Sequence, residues 1–395
     1  MLFYGPGFLE HDINFALEFI DKNITFKTRR HINRLDAELK DKNPEVRKSA
    51  IRFLVRVPYP RRTEILTGLL NDENQGVRKE AAQALGNTGD PSAVDILMGR
   101  LKDENPSVRE EAAKALGSLA RWNIMEPCAV EGLITAVRDQ NPAAGDALKK
   151  MSNPRAVEII CASLEDKNSD VRLAAAEALE YMAAVAKGDP KAVGPLIRAV
   201  RDETPAVRMT AAKALGKMRD PRALGALIRA SKDEDPNVAG RSVFALGELK
   251  DPRGLEAMIE ALKHKDVIVR QSAIFGLQGM KDSRVVEPLI AALKDEDWYI
   301  RMRAANSFMW IEDPRAVGPL IGLLSDPDYR VAEVAARALG CLKDPRAIDP
   351  LIDLLKDRDP SVRREAAKIL SRIAGEKFGD NYEKWKSWRD KTERE

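Results

Sequence analysis

The sequence predicts an all-α solenoid, a right-handed α–α superhelix of about eleven stacked helical hairpins, and three observations carry that reading. First, a Val-Arg pair, Ile-Arg at Arg301, recurs at a spacing of 31 residues, at Arg47, Arg78 and Arg109 and again along the series Arg208, Arg270, Arg301 and Arg363, where Ala239 and Ala332 fill the two slots lacking Arg. Second, each repeat carries two apolar stripes at helical spacing. In the stretch Asp313 to Lys343 these are Val317, Leu320, Ile321 and Leu324, then Val331, Ala335, Ala338, Leu339 and Leu342. Third, helix punctuation falls between the stripes: Asp313 and Pro314 suit a helix start, and Gly340 sits where a glycine can close a helix. A pair of such helices leaves apolar surface on both flanks, so a hairpin gains a core only between similar hairpins.

Taken in order, residues 1–30 are expected to form an N-terminal helical cap, with Phe15, Leu17, Phe19 and Ile20 covering the first repeat. The solenoid is expected over 31–375. Its fourth repeat, near 141–151, is irregular: Asn141 to Asn168 spans 27 residues, so the second helix has lost about one turn and its Val-Arg pair. A local kink is expected there. The neighbouring connections, SLARWNIMEPCAV and EYMAAVAKGDPKAV, are five and six residues longer than NTGDPSAV, and Arg172 belongs to the repeat between the two. Residues 376–395 bring Phe378, Tyr382, Trp385 and Trp388 together before a charged tail, which fits a C-terminal cap.

The unit DPSAVDILMGRLKDENPSVREEAAKALGSL, from Asp90 to Leu119, resembles the short HEAT-like repeat of the phycobilin-lyase type in its Asp-Pro start, Lys-Asp turn and Val-Arg pair. The resemblance covers roughly 31–375 and implies an armadillo-like solenoid. That family includes bilin lyase subunits, a di-iron hydroxylase and many scaffolds, so it implies several functions. The repeat also resembles artificial proteins built on a 31-residue unit, but the irregular fourth repeat argues for a natural sequence.

Composition narrows the chemistry. Apolar residues make up 44% and charged residues 32% of the chain, the profile of a folded, charge-coated protein. A net charge of +3 with both signs interleaved supplies no global argument for nucleic acid or a membrane. Cys128, Cys161 and Cys341 are scattered and odd in number, and no apolar run approaches the ~18 residues of a membrane span. These features lead us to expect a cytoplasmic protein. His11, His31 and His264 lie on separate elements, and the His-Glu pairs of the di-iron hydroxylases are missing. We see no phosphate loop, nucleophile elbow or Cys/His arrangement, and expect no catalytic residue, metal or cofactor.

The repeated arginines, Arg78, Arg109, Arg172, Arg208, Arg270, Arg301 and Arg363, stand close to the Asp or Asn of the preceding turn. A ladder of charge-assisted hydrogen bonds between hairpins accounts for them better than phosphate binding does. Departures from the repeat point elsewhere. On the second helix, positions one, two, five and nine after the Arg slot face away from the buried stripe and would line a concave surface. Early repeats place Lys48, Arg52, Lys79, Gln83, Glu110 and Lys114 there. Repeats seven to nine instead place Arg241, Phe244, Gln271, Phe275, Met302, Arg303, Asn306 and Trp310. With hairpins about 10 Å apart, these side chains would form one patch rich in the residue types of binding hot spots. A competing reading has Phe244 and Phe275 filling space beside Gly240 and Gly276. The function expected is a non-catalytic scaffold, monomeric, that binds a protein or peptide on this patch. A bilin-lyase-like protein handling a chromophore is the alternative, and nucleic-acid binding through Arg241 and Arg303 is less favoured.

Overall fold

A computed structural model describes residues 34–392 except 57–58, 60, 121–126, 152–153, 187, 279, 281 and 359. The expected cap over 1–30 lies outside the described residues. Every regular element among them is an α-helix or a 3-10 turn, and the chain divides into two compact units, Met1–Ala199 and Val200–Glu395.

In the first unit the second helices of repeats one to five are α1 (Pro44–Arg56), α3 (Gln75–Gly86), α5 (Pro106–Leu119), α7 (Pro142–Lys149) and α9 (Ser169–Ala186). The alternating first helices are α2 (Arg62–Leu69), α4 (Ala93–Arg100), α6 (Pro127–Arg138), α8 (Pro154–Ser163) and α10 (Val193–Ala199). In the second unit, second helices α11 (Pro205–Met218), α13 (Pro236–Leu249), α15 (Val267–Leu277), α17 (Trp298–Ile311), α19 (Tyr329–Leu342) and α21 (Pro360–Ala374) alternate with first helices. Those are α12 (Leu224–Ala230), α14 (Leu255–Ala261), α16 (Val286–Ala292), α18 (Val317–Gly322) and α20 (Ile348–Asp353), and α22 (Tyr382–Thr392) follows. Within each unit a second helix packs on the first helix of its own hairpin and on the next second helix along, which makes two layers.

The core lies between these layers. Val77, Ala81 and Leu85 of α3, Val243 and Leu246 of α13, and Leu227 and Leu289 of the first layer are fully buried. Each large aliphatic side chain removed from water in this way contributes roughly 1.5–3 kcal/mol.

Glycine sets the spacing in the second layer. A Cβ on Gly86 would lie 2.6 Å from Ala115 Cα, one on Gly216 2.9 Å from Ala245 Cα, and one on Gly247 2.5 Å from Gly276 Cα. This corrects the expectation for Gly340, which does not close its helix. It is buried inside α19, where a Cβ would meet Ile369 Cγ2 at 3.1 Å. The left-handed closing position is Lys343, with φ 51°, whose N–H donates to Leu339 O at 3.0 Å. Close approach needs the missing Cβ one turn earlier, so a non-glycine residue bears the modest cost of the left-handed cap.

First helices start on a tight device. The carboxylate of Asp282 accepts from the backbone N–H of Arg284 at 3.0 Å, and the Arg284 side chain returns to that carboxylate through Nε at 3.0 Å and Nη2 at 2.7 Å. Arg284 Nη1 then reaches Glu256 of the preceding repeat at 3.0 Å. Arg315 repeats the pattern with Asp313 and Glu287. Asp313 thus caps a 3-10 turn, Pro314–Ala316, that runs on into α18.

The irregular repeat has an eight-residue second helix, α7, against fourteen residues in α5. Asn141 caps it by accepting from Ala143 N at 3.1 Å, while its Nδ2 donates to Arg109 O at 2.9 Å. At the C-terminal end Trp385 is fully buried, donates Nε1 to Gly379 O at 2.8 Å, and meets Phe378 and Trp388 edge-on. Arg389 ties α22 to Asp349 of α20 at 2.6 Å.

Two outcomes follow. Gly247→Ala forces α13 and α15 apart, and a loss of about 1–3 kcal/mol is expected in urea unfolding, with faster amide exchange in both helices. The Arg284 hydrogen bonds draw the Asp282 carboxyl down from 3.8 to about 2, and bonds from Arg315 and Arg346 lower Asp313 and Asp344. Carboxyls depressed in the folded state stabilise it above their unfolded values. Stability is therefore expected to be level above the ordinary aspartate range and to fall between 3.8 and about 2, followed by far-ultraviolet circular dichroism during acid titration.

Candidate functional site

The frame around the patch is a clamp repeated from hairpin to hairpin. Arg301 at the start of α17 directs Nη1 to the carbonyls of Asp295 and Glu296 at 2.8 and 3.0 Å. Its Nε and Nη2 grip Asp326, in the next repeat, at 2.7 and 2.9 Å. Arg78 holds Asp103, Arg208 holds Asp233 and Arg270 holds Asp295 in the same bidentate way. The preceding turn thus supplies carbonyl oxygens rather than the expected carboxylate, which comes from the hairpin after. Each of these carboxylates also accepts a backbone N–H of its own turn, as Asp295 does from Asp297 at 2.9 Å. The carboxylate bonds raise the Arg78, Arg208 and Arg301 guanidiniums above their ordinary value against the opposing pull of burial. Arg109, Arg172 and Arg363 make the same carbonyl bonds to their own turns. Arg363 also lies 3.8 Å from Asp380. For Arg109 the residue twenty-five positions on is Ile134, because the next repeat is the irregular one.

The clamp is missing on both sides at one junction. Ala239 occupies the Arg slot of repeat seven, and His264 stands where the partner aspartate would be. His264 Nδ1 takes over the turn bond from Asp266 N at 3.0 Å. At this same junction Gly247 and Gly276 bring α13 and α15 into backbone contact, and Phe244 and Phe275 stack with centroids 4.5 Å apart and planes 15° from parallel.

The stack continues on both sides. The Arg241 guanidinium lies over Phe244 at 5.2 Å, and that of Arg303 lies over Phe275 at 5.8 Å and over Tyr299 at 5.6 Å. Tyr299 meets Trp298 edge-on, and Arg330 covers Trp298 at 3.5 Å. Phe275 remains 44% exposed. Ile268 and Ser272 occupy the space beside Gly240, while Met258 and Gly247 occupy that beside Gly276. The side chains closest to Gly240 and Gly276 are thus Ile268, Ser272 and Met258.

The remaining expected site residues divide. Gln271 is half-buried, with Nε2 3.4 Å from Asp297 Oδ1. Met302 and Asn306 lie half-buried on α17. Trp310, 74% exposed at the last turn of α17, joins none of the ring contacts among the described residues. Arg330 and Ile268 were not anticipated. The signal lies in the position just before the repeat Val, where Glu45, Ser107, Asp170 and Asn237 give way to Ile268, Tyr299 and Arg330.

Other chemistry is sparse. No cluster of His, Cys, Asp and Glu suited to a metal ion occurs among the described residues. Burial pushes the Cys161 thiol up to about 11, the opposite of an activated nucleophile. No described helix is long and apolar enough to cross a membrane.

The family model for HEAT repeats matches residues 66–144, 181–233, 225–274, 255–339 and 318–380, and a second HEAT-repeat model matches 156–186. The chain belongs to the HEAT-repeat family. A comparison with the curated proteins finds no match. Among solved structures, Kap121p is similar at a TM-score of 0.65 and 14% identity over 95% of this chain and 48% of that one. Kap95p, from a study of its binding to RanGDP, is similar at 0.57 and 16% over 88% and 55%. An engineered protein aligns with 22% identity over 87% of this chain and 99% of its own, at a TM-score of 0.43. This HEAT array thus spans about half the length of the Kap121p chain. At such identities the likeness establishes the α–α superhelical fold alone.

Clamp and patch differ in what they do for stability. Arg270 is buried and its partner Asp295 partly so, so Arg270→Ala is expected to cost about 2–3 kcal/mol by leaving a partly buried carboxylate without its cation. Arg241, held by a ring rather than a carboxylate, is expected to cost less than about 1 kcal/mol as Arg241→Ala. Guanidinium denaturation of the two variants side by side makes the comparison.

Proposed function

We propose that this HEAT-repeat protein is a non-catalytic scaffold that binds a protein or peptide on the concave face lined by the second helices of repeats seven to nine. The observation that carries the reading is the Phe244–Phe275 stack. It is a part-exposed aromatic pair on a helix layer whose other repeats present charged or polar side chains at the same position. Aromatic and Arg side chains that together displace water are the groups on which binding energy concentrates. A rigid support behind them limits the ordering cost of association, and the clamps on Arg270 and Arg301 supply it. Kap121p, which shares the fold, has been crystallised bound to Ste12p, to Nup53p and to the extreme C-terminus of the phosphatase Cdc14p. That precedent supports a HEAT array as a peptide-binding frame. The domain reading of an end cap, a solenoid over 31–375 and a C-terminal cap serves the same role, since capped ends leave the side surfaces for partners.

The test is quantitative affinity capture from the protein's own cells with wild type and with Phe244→Ala, Phe275→Ala and Trp310→Ala combined. Partners are expected to be depleted at least about tenfold by a variant whose melting stays within a few degrees of wild type, a loss typical of truncating a hot spot. Equal capture by the folded variant would overturn the proposal. Visible absorbance in the purified material would favour the chromophore-handling alternative instead.

A further inference from the structure

The two arginines of the patch are unlike the arginines of the frame. Arg78, Arg208, Arg270 and Arg301 each hold a carboxylate bidentately. Among the described residues, neither Arg241 nor Arg303 makes a salt bridge or a side-chain hydrogen bond from its guanidinium; each is held over a ring, and Arg303 Nε is buried without a partner. A cation parked on an aromatic face keeps its outward N–H groups available and is oriented in advance for a planar acceptor. The carboxylates on these helices are matched by other cations. Glu248 is half-buried on α13 among Arg219, Arg241, Lys217 and Lys213, and desolvation holds it above the ordinary carboxylate range despite those four cations. Toward repeat ten, Glu333 is answered by Arg337 at 3.8 Å. The strip from Arg241 across the two phenylalanines to Arg303 is therefore apolar in the middle and cationic at both ends.

Resting on the peptide-binding reading above, we infer that the occupant of this strip is an acidic, extended peptide segment. Its carboxylates bind Arg241 and Arg303, and an apolar side chain between them lies against Phe275. The dimensions agree. The separations of 5.2, 4.5 and 5.8 Å along Arg241, Phe244, Phe275 and Arg303 give at most about 16 Å end to end. Four or five extended residues, at about 3.3 Å each, cover that length. Planar guanidinium forks match carboxylates in particular, and the carboxylate would take the place that an aspartate fills at every clamp. Nucleic acid fits less well. Base stacking needs an open ring face, whereas Phe244 and Phe275 are engaged by each other and by the two guanidiniums.

A selection of random peptides displayed against the immobilised full chain tests the inference. Sequences enriched over the input library are expected to pair Asp or Glu on either side of an apolar residue. The strongest of them should bind at least tenfold more weakly to the Arg241→Gln, Arg303→Gln double variant and lose affinity steeply with added salt. The Arg241→Glu, Arg303→Glu variant should shift enrichment toward Lys and Arg. Circular dichroism melting of each variant keeps loss of fold separate from loss of site. Enriched peptides without acidic residues that still depend on Phe244 and Phe275 would overturn the acidic assignment and leave the groove standing. No enrichment at all, together with equal partner capture by the aromatic variant, would remove both. Tighter binding of oligo-dT than of any selected peptide, lost with the two arginines, would overturn it in favour of nucleic acid. Concentration-dependent self-association lost in the same variant would overturn it in favour of a second copy of the chain.

Discussion

Everything in this chain depends on the contact one hairpin makes with the next. A lone hairpin exposes apolar flanks, so its core is shared with its neighbours by construction. Two devices set the geometry of that shared contact. Small residues at Gly86, Gly216 and Gly247 let the second helices approach until backbone meets backbone. Arginines such as Arg78, Arg270 and Arg301 then join the turn behind them to the carboxylate of the hairpin ahead. The apolar contact supplies most of the energy, but it is non-directional. The bidentate clamp is directional and fixes register, and it satisfies carbonyls and carboxylates that burial would otherwise leave short of partners.

The clamp is legible in the sequence only in part. A fixed spacing of Val-Arg pairs gave the periodicity, the helix layer and the presence of a ladder, because one-dimensional repetition translates directly into one-dimensional stacking. It did not give the partner. Asp103 is close to Arg109 in sequence, yet its carboxylate belongs to Arg78 and only its carbonyl serves Arg109. Sequence proximity favours the local pair, whereas hairpin stacking brings a residue twenty-five positions away to the guanidinium. Gly340 was misread for a related reason. Glycine near a helix end has two uses, a left-handed cap or a close helix contact, and only the neighbouring Ile369 distinguishes them.

The candidate site was legible as a set of departures from the repeat, which is how Phe244, Phe275, Arg241 and Arg303 came to be grouped. Their arrangement was not. That the rings stack on each other, that each carries a guanidinium, and that Trp310 stands apart from them are consequences of helix rotation and rotamer. A residue count along the helix cannot resolve those. Arg330 escaped notice because its backbone position belongs to the helix start, and only the fold brings it over Trp298.

The junction that lacks both halves of the clamp is also the one where the aromatic stack appears, and the coincidence has a physical basis. Losing Arg at position 239 alone would strand a buried aspartate, at a cost of about 3–5 kcal/mol. The chain has His264 there instead, so both charged groups are gone and neither is left unpaired. The Gly247–Gly276 contact then carries the junction, and the Phe244–Phe275 stack adds roughly 0.5–1.5 kcal/mol beyond the area it buries. Stacked rings at the edge of such a contact stabilise the junction and remain reachable from solvent at once, which a buried ion pair cannot do. A repeat that gives up both halves of its clamp can in this way offer an aromatic surface without stranding a charge, while intact clamps on Arg270 and Arg301 hold the following hairpins in place.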